Sequence, residues 1–219
     1  MRKLVVLTFL TLDGVMQAPG GPEEDPVGGF TLGGWSVNHW DGSIEEVMSR
    51  RMTPPFDLLL GRKTYQIFAG YWPFATEPGA EDLNAARKYV ATRTLTSADW
   101  NNSTILDGDI VQQVAELKQQ DGPEIQVHGS SDLIQTLLAN DLVDEFRLMI
   151  FPVVVGKGKR LFGAGTVPRS FAVRESSTSG TGVVMATYER AGAVETGSFA
   201  PEDPTDLERE RRAQLEAEG

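Results

Sequence analysis

The chain has 219 residues, 20 basic against 31 acidic, for a formal net charge of −11, and no cysteine. That length suits one domain with a proper core and a tail. The acidic balance argues against nucleic acid as a partner. The lack of cysteine excludes disulfides and thiol catalysis and fits a reducing cytoplasm, and no apolar run approaches a membrane span.

Lys3 to Leu10 reads as a buried first strand, closed by the turn Thr11-Leu12-Asp13-Gly14. Residues 15–42 form a loop rich in Gly and Pro, and irregular loops of this length tend to be functional. Ser43 is placed to cap a helix from Ile44 to Met52, with Glu46 completing a capping box, and Thr53-Pro54-Pro55 ends it. A strand at 57–60 and a helix from Arg62 to about Ala69 follow. Lys88 to Thr92 and Ser103 to Leu106 read as strands, and apolar residues recur at helical spacing between Asp109 and Gln120.

Strand 124–128 leads to a helix at 131–139, whose buried face is Leu133, Ile134, Leu137 and Leu138. Glu145 to Val155 reads as a long strand in which Pro152 marks an edge or a bulge. Gly156-Lys157-Gly158-Lys159-Arg160 is a basic loop, and strands 171–177 and 183–189 flank a hairpin connection. From Ala191 the composition turns acidic. Leu207 to Glu218 suits a short charged helix without an apolar face, so 191–219 is expected to be a mobile or neighbour-docked tail on a 1–190 domain. Strands alternating with helices, then a hairpin, predict an α/β fold: a mostly parallel central sheet flanked by helices, with an antiparallel end.

Two strand-to-helix junctions stand out. Asp57-Leu58-Leu59-Leu60 runs into Gly61-Arg62-Lys63-Thr64, and Ile125-Gln126-Val127 runs into His128-Gly129-Ser130-Ser131. Each turns free backbone N–H groups and a helix dipole toward the carboxyl end of a strand, which suits an anion. Two in one α/β chain suggest a nucleotide lying across the sheet edge. No Gly-x-x-x-x-Gly-Lys-Ser/Thr run exists, so a P-loop phosphotransferase finds no support.

These junctions keep company with Thr11-Leu12-Asp13-Gly14, Gln17-Ala18-Pro19-Gly20-Gly21, Gly33-Gly34-Trp35, and Val143-Asp144-Glu145 through Gly156-Lys157-Gly158-Lys159-Arg160-Leu161-Phe162. In that order they resemble the dihydrofolate-reductase-like family related to the reductase domain of bacterial riboflavin biosynthesis. The resemblance implies a dihydrofolate-reductase-like fold, an NADPH-dependent reductase and often a homodimer. It implies that Gly61, Arg62 and Thr64, with Lys63 at the variable position, hold cofactor phosphates. Thr92 and Arg93 then meet the adenosine 2′-phosphate. Gly129, Ser130 and Ser131 bring backbone to the pyrophosphate, at a turn where dihydrofolate reductases carry glycines.

Each residue also has a plainer reading. Arg93 suits a solvated strand end almost as well, and the 157–160 cluster suits a solvated loop or dimer rim better than a substrate clamp. His128 reads as a structural residue or as a cleft residue beside the cofactor, and His39 lacks a fixed place. Trp35 and Trp40 are candidates to stack on a flat heterocycle, or pins for a glycine-rich loop. Glu45 falls, by gapless counting, where a pteridine reductase keeps its substrate acid, yet Glu at a helix start also suits the dipole. Asp13 is the second candidate acid, with turn chemistry as its alternative. The expected reaction is hydride transfer from NADPH to a C=N or C=O carbon of a small heterocycle, with no metal. The rival is a non-catalytic nucleotide-binding module.

Overall fold

The computed structural model describes residues 1–200 and 203–218. Eight strands form one sheet: β1 (Leu4–Thr11), β2 (Phe56–Gly61), β3 (Lys88–Ala91), β4 (Ser103–Leu106), β5 (Glu124–Val127), β6 (Glu145–Phe151), β7 (Ser170–Thr178) and β8 (Val184–Gly192). Their order is β4-β3-β2-β5-β1-β6-β8-β7. Every neighbouring pair from β4 to β6 is parallel, and β8 and β7 add an antiparallel end. The fold is α/β, a mostly parallel sheet with an antiparallel end, as the alternation of strands and helices predicts.

Apolar side chains sit on both faces of the central strands, as a sheet covered on both sides requires. All six residues of β2 are buried. On one face Leu4, Val6, Leu59, Ile125 and Val127 pack with Val114 and Leu117 of α4 (Ile110–Gln119) and Leu133, Ile134 and Leu137 of α5 (Ser131–Ala139). On the other, α1 (Gly42–Arg51) lays Ile44 and Val47 on Met149, Phe151 and Met185. Beside it α2 (Arg62–Tyr71) and α3 (Ala80–Ala85) cover Phe56, Leu58, Leu60 and Val90 through Tyr65 and Leu83.

Several expectations need correcting. The cap of α1 is Asp41, not Ser43: the Asp41 carboxylate accepts from the Ser43 and Ile44 amides, and the Ser43 hydroxyl itself donates to it. An acid two residues upstream in extended backbone outcompetes the serine for the same amides. The strand expected to reach Val155 stops at Phe151, because Pro152 has no N–H to offer the ladder. The six-residue α3 is too short to show a period. In the acidic tail α6 (Asp206–Glu218) forms with no buried residue. Ion pairs between Asp206 and Arg209, and between Glu208 and both Arg211 and Arg212, run along it. Among the described residues no helix is long and apolar enough to cross a membrane.

Candidate functional site

The two junctions lie side by side, since β2 and β5 are hydrogen-bonded neighbours. They interlock. A Cβ on Gly61 would fall inside the Ser130 side chain, and one on Gly129 would come within 2.9 Å of Thr64 Oγ1. Glycine is required at both places by close approach rather than by turn type. The Thr64 and Ser130 hydroxyls meet at 2.9 Å. Ser130 takes the left-handed conformation, φ 77°, a cost of about 1–2 kcal/mol that its cross-junction hydrogen bond helps offset.

The four longer helices of the domain divide by how they begin. Asp41 and Asp109 each accept two amides at the starts of α1 and α4. The N-caps of α2 and α5 are Gly61 and Ser130, and neither makes a side-chain capping bond. First-turn amides are therefore left open at the carboxyl edge of the sheet, where the dipoles are positive. Arg62 and Lys63 stand half-buried on the first turn of α2, and the Arg62 guanidinium donates to Gln66, at 3.0 Å.

Beside this edge the sheet splits. β1 pairs with β5 over Leu4 to Val6 only, while it stays paired with β6 as far as Thr11. A fissure thus opens between β1 and β5 next to Gly129, the crevice position at which open α/β sheets bind ligands. His128 stands at its mouth, half-buried, with its ring edge-on to Phe68 of α2 at 6.1 Å and its Nε2 at 2.9 Å from Gln126 Oε1. Burial pushes the His128 pKa down to about 4, so the ring is neutral at pH 7.

The remaining candidates separate. Thr92 is buried, and its hydroxyl accepts from the Thr94 and Leu95 amides, which shapes the turn holding exposed Arg93. Ser131 opens α5. Glu45 points outward from α1, exposed and, among the described residues, without a hydrogen bond. Trp40 is 38 % exposed and tilts against Phe9 at 5.7 Å. His39 lies 6.2 Å from the Phe151 ring, on the α1 side of the sheet.

Two candidates are held by the surrounding loops. Asp13 is surrounded by hydrogen-bond donors. Its carboxylate accepts from the Thr11 hydroxyl at 2.6 Å and the Val155 and Gly156 amides at 3.2 and 2.9 Å, with Arg160 at 3.3 Å. The Thr11 hydrogen bond leads in holding its pKa at about 2. Trp35 is anchored within the loop: its indole donates to the Gln17 carbonyl and its ring meets Phe151 edge-on.

The 15–42 loop is correspondingly well anchored. Gln17 donates to the Asp25 and Val27 carbonyls and accepts from the Lys159 amide, and Lys159 is ion-paired with Asp25. The basic loop is therefore a strap, not a clamp for substrate. Gln17 and Gln126 escaped the sequence reading. A lone amide inside the apolar strand Ile125-Gln126-Val127 was the available signal for the second. A cavity of about 650 Å³ lies along the flank of α2, lined by Ala69, Phe74, Leu95 and Trp100, and does not include the junctions.

Comparison with known proteins agrees with this geometry. The chain is 29 % identical over 196 residues to the uncharacterized protein YyaP of Bacillus subtilis, covering 87 % of this chain and 96 % of that one. A putative riboflavin biosynthesis protein from a Shewanella species superposes with a TM-score of 0.62 at 22 % identity, covering 86 % of this chain and 99 % of the other. The dihydrofolate reductase of Enterococcus faecalis, solved with NADP(H), gives a TM-score of 0.54 at 13 % identity, over 86 % and 96 % of the two chains. Residues 2–185 match the RibD C-terminal domain, and the chain belongs to that family.

Proposed function

We propose that the protein is an NADPH-dependent reductase that delivers hydride to a C=N or C=O carbon of a small heterocycle. The reading rests on one observation above the rest, the pair of interlocked, uncapped helix starts beside a split in the sheet. Such a pair fits a diphosphate bridge, with amides from α2 and α5 as donors and Arg62 and Lys63 adding charge. Arg93 stands on the loop after β3, where an arginine beside a hydroxyl suits a 2′-phosphate. NADPH, when bound, supplies the hydride.

The chain's own part is to position and to exclude the wrong proton chemistry. Asp13, with a pKa of about 2, and His128, at about 4, are both unprotonated at neutral pH. Neither donates a proton, so water supplies it to the nitrogen or oxygen as hydride reaches carbon.

Calorimetry with NADPH tests the cofactor. Arg62→Ala removes a charge whose only hydrogen-bond partner among the described residues is Gln66. It should weaken NADPH binding by about tenfold or more while leaving the melting temperature unchanged. Absence of binding at millimolar NADPH overturns the proposal. Firm binding without turnover of pterins or flavin-precursor aminouracils favours a ligand-binding module on the same fold.

A further inference from the structure

Gln126 is the fully buried polar residue of central strand β5, with no exposed surface. Its amide is fully engaged. The NH₂ group donates to the Arg51 carbonyl at the end of α1, at 2.9 Å, and to Glu124 Oε1 at 2.7 Å. The opposite amide orientation would set its oxygen against two other oxygens. Glu124 is itself gripped by both terminal nitrogens of Arg147, at 2.7 and 2.8 Å. Burial pushes the Glu124 carboxyl up, but the hydrogen bonds from Arg147 and Gln126 outweigh it and keep it ionised.

The group Gln126 offers to His128 Nε2 is therefore its oxygen, and an amide oxygen only accepts. Nε2 must carry the ring proton. A neutral imidazole has one, so Nδ1 is a bare acceptor, and among the described residues it has no hydrogen-bond partner. Glu124 and Arg147 are the charged groups that act on the ring through space, and they pull in opposite directions.

From this we infer that His128 is a specificity-determining residue whose Nδ1 accepts a hydrogen bond from a ring N–H of the substrate, and that Gln126 is the positioning residue that makes it an acceptor. The inference rests on reading the fissure as a substrate site. It selects flat heterocycles with a lactam-type or amino N–H at that edge. A ring presenting only a carbonyl or a methylated nitrogen there would meet a lone pair with no donor, and one hydrogen bond would be lost.

His39 and His128 are the chain's two histidines, so long-range ¹H–¹⁵N imidazole spectra of the full protein are simple, and a His39→Gln variant assigns them. His128 should show the Nε2–H tautomer at neutral pH. Adding 2-pyridone, a flat ring with one lactam N–H, should move the Nδ1 resonance. 1-Methyl-2-pyridone should need about tenfold more for the same shift. Gln126→Met should turn the single tautomer into a mixture; if that variant fails to fold, the wild-type spectra decide. An Nδ1–H tautomer, an equal response to the two pyridones or no response to either overturns the inference. These spectra contain no NADPH, so a failure of coenzyme binding leaves their outcome standing.

Discussion

Two corners of the molecule, both rich in glycine and polar residues, use their donors in opposite ways. Where the 15–42 loop meets the 156–160 loop, nearly every charged group is answered from within the chain. Asp13 collects hydrogen bonds from Thr11, Val155, Gly156 and Arg160, Lys159 pairs with Asp25, and Gln17 ties both loops together. At the junctions of β2–α2 and β5–α5 the helix starts lack side-chain caps, and among the described residues Arg62 holds only a neutral glutamine. A polar group that the fold satisfies is scaffold. One that the fold leaves open, while nearby helices are capped, is available to a ligand.

The sharpest way to break this contrast is Gly61→Ala. The new methyl would occupy the space of the Ser130 side chain, so either strand end must move. Overpacking of that kind costs about 1–3 kcal/mol, and displaced amides should lower NADPH affinity by about a hundredfold, beyond the Arg62→Ala effect. Ser130→Gly removes the atoms in the way, so the double variant should regain stability in a thermal melt. If Gly61→Ala alone binds NADPH as the parent does, the junctions are not the phosphate site.

At the other corner the expected loss is in stability and not in binding. Asp13 has a folded-state pKa of about 2 against an ordinary 3.8. A depressed carboxylate stabilises the fold above its unfolded pKa, and that contribution is lost as pH falls through the folded value. Asp13→Asn should therefore melt several degrees below the parent at pH 7, and the gap should close as pH falls from about 4 toward 2. NADPH affinity should be unaffected. A constant gap across that range would mean that Asp13 is not the ionised anchor of this corner.

How much of this could be read from the sequence follows the range of the interactions. The junctions were legible because an apolar strand, a glycine and small polar residues are a local pattern. The long helices and the parallel order followed from period and alternation. The hold on Asp13 was not legible, because the groups that engage it at Val155, Gly156 and Arg160 are distant in sequence. The anchoring of Trp35 was not legible for a similar reason, since Phe151 meets it only once β6 lies beside β1. The fissure itself is a property of register: β5 ends while β1 continues, and nothing local in either strand announces it. The choice between Ser43 and Asp41 as cap was legible in principle, because both stand within reach of the same amides.

The smallest expected effect concerns Glu45, and it bears on which corner of the site a substrate touches. α1 turns Ile44, Val47 and Arg51 inward, so at 100° per residue Glu45 lies off that face, exposed and near the helix start. There its charge favours the dipole by roughly 0.3–1 kcal/mol. Glu45→Gln should cost a few tenths of a kcal/mol in a thermal melt and change any NADPH-dependent turnover of a heterocycle by less than about twofold. A fall of about a hundredfold at unchanged stability would instead require α1 to swing over a bound ring, placing its acid against the ring edge. His128 reports independently on that swing. Its partner Gln126 is anchored to the Arg51 carbonyl at the other end of the same helix. A rotation of α1 large enough to bring Glu45 inward would break that bond and release the imidazole tautomer.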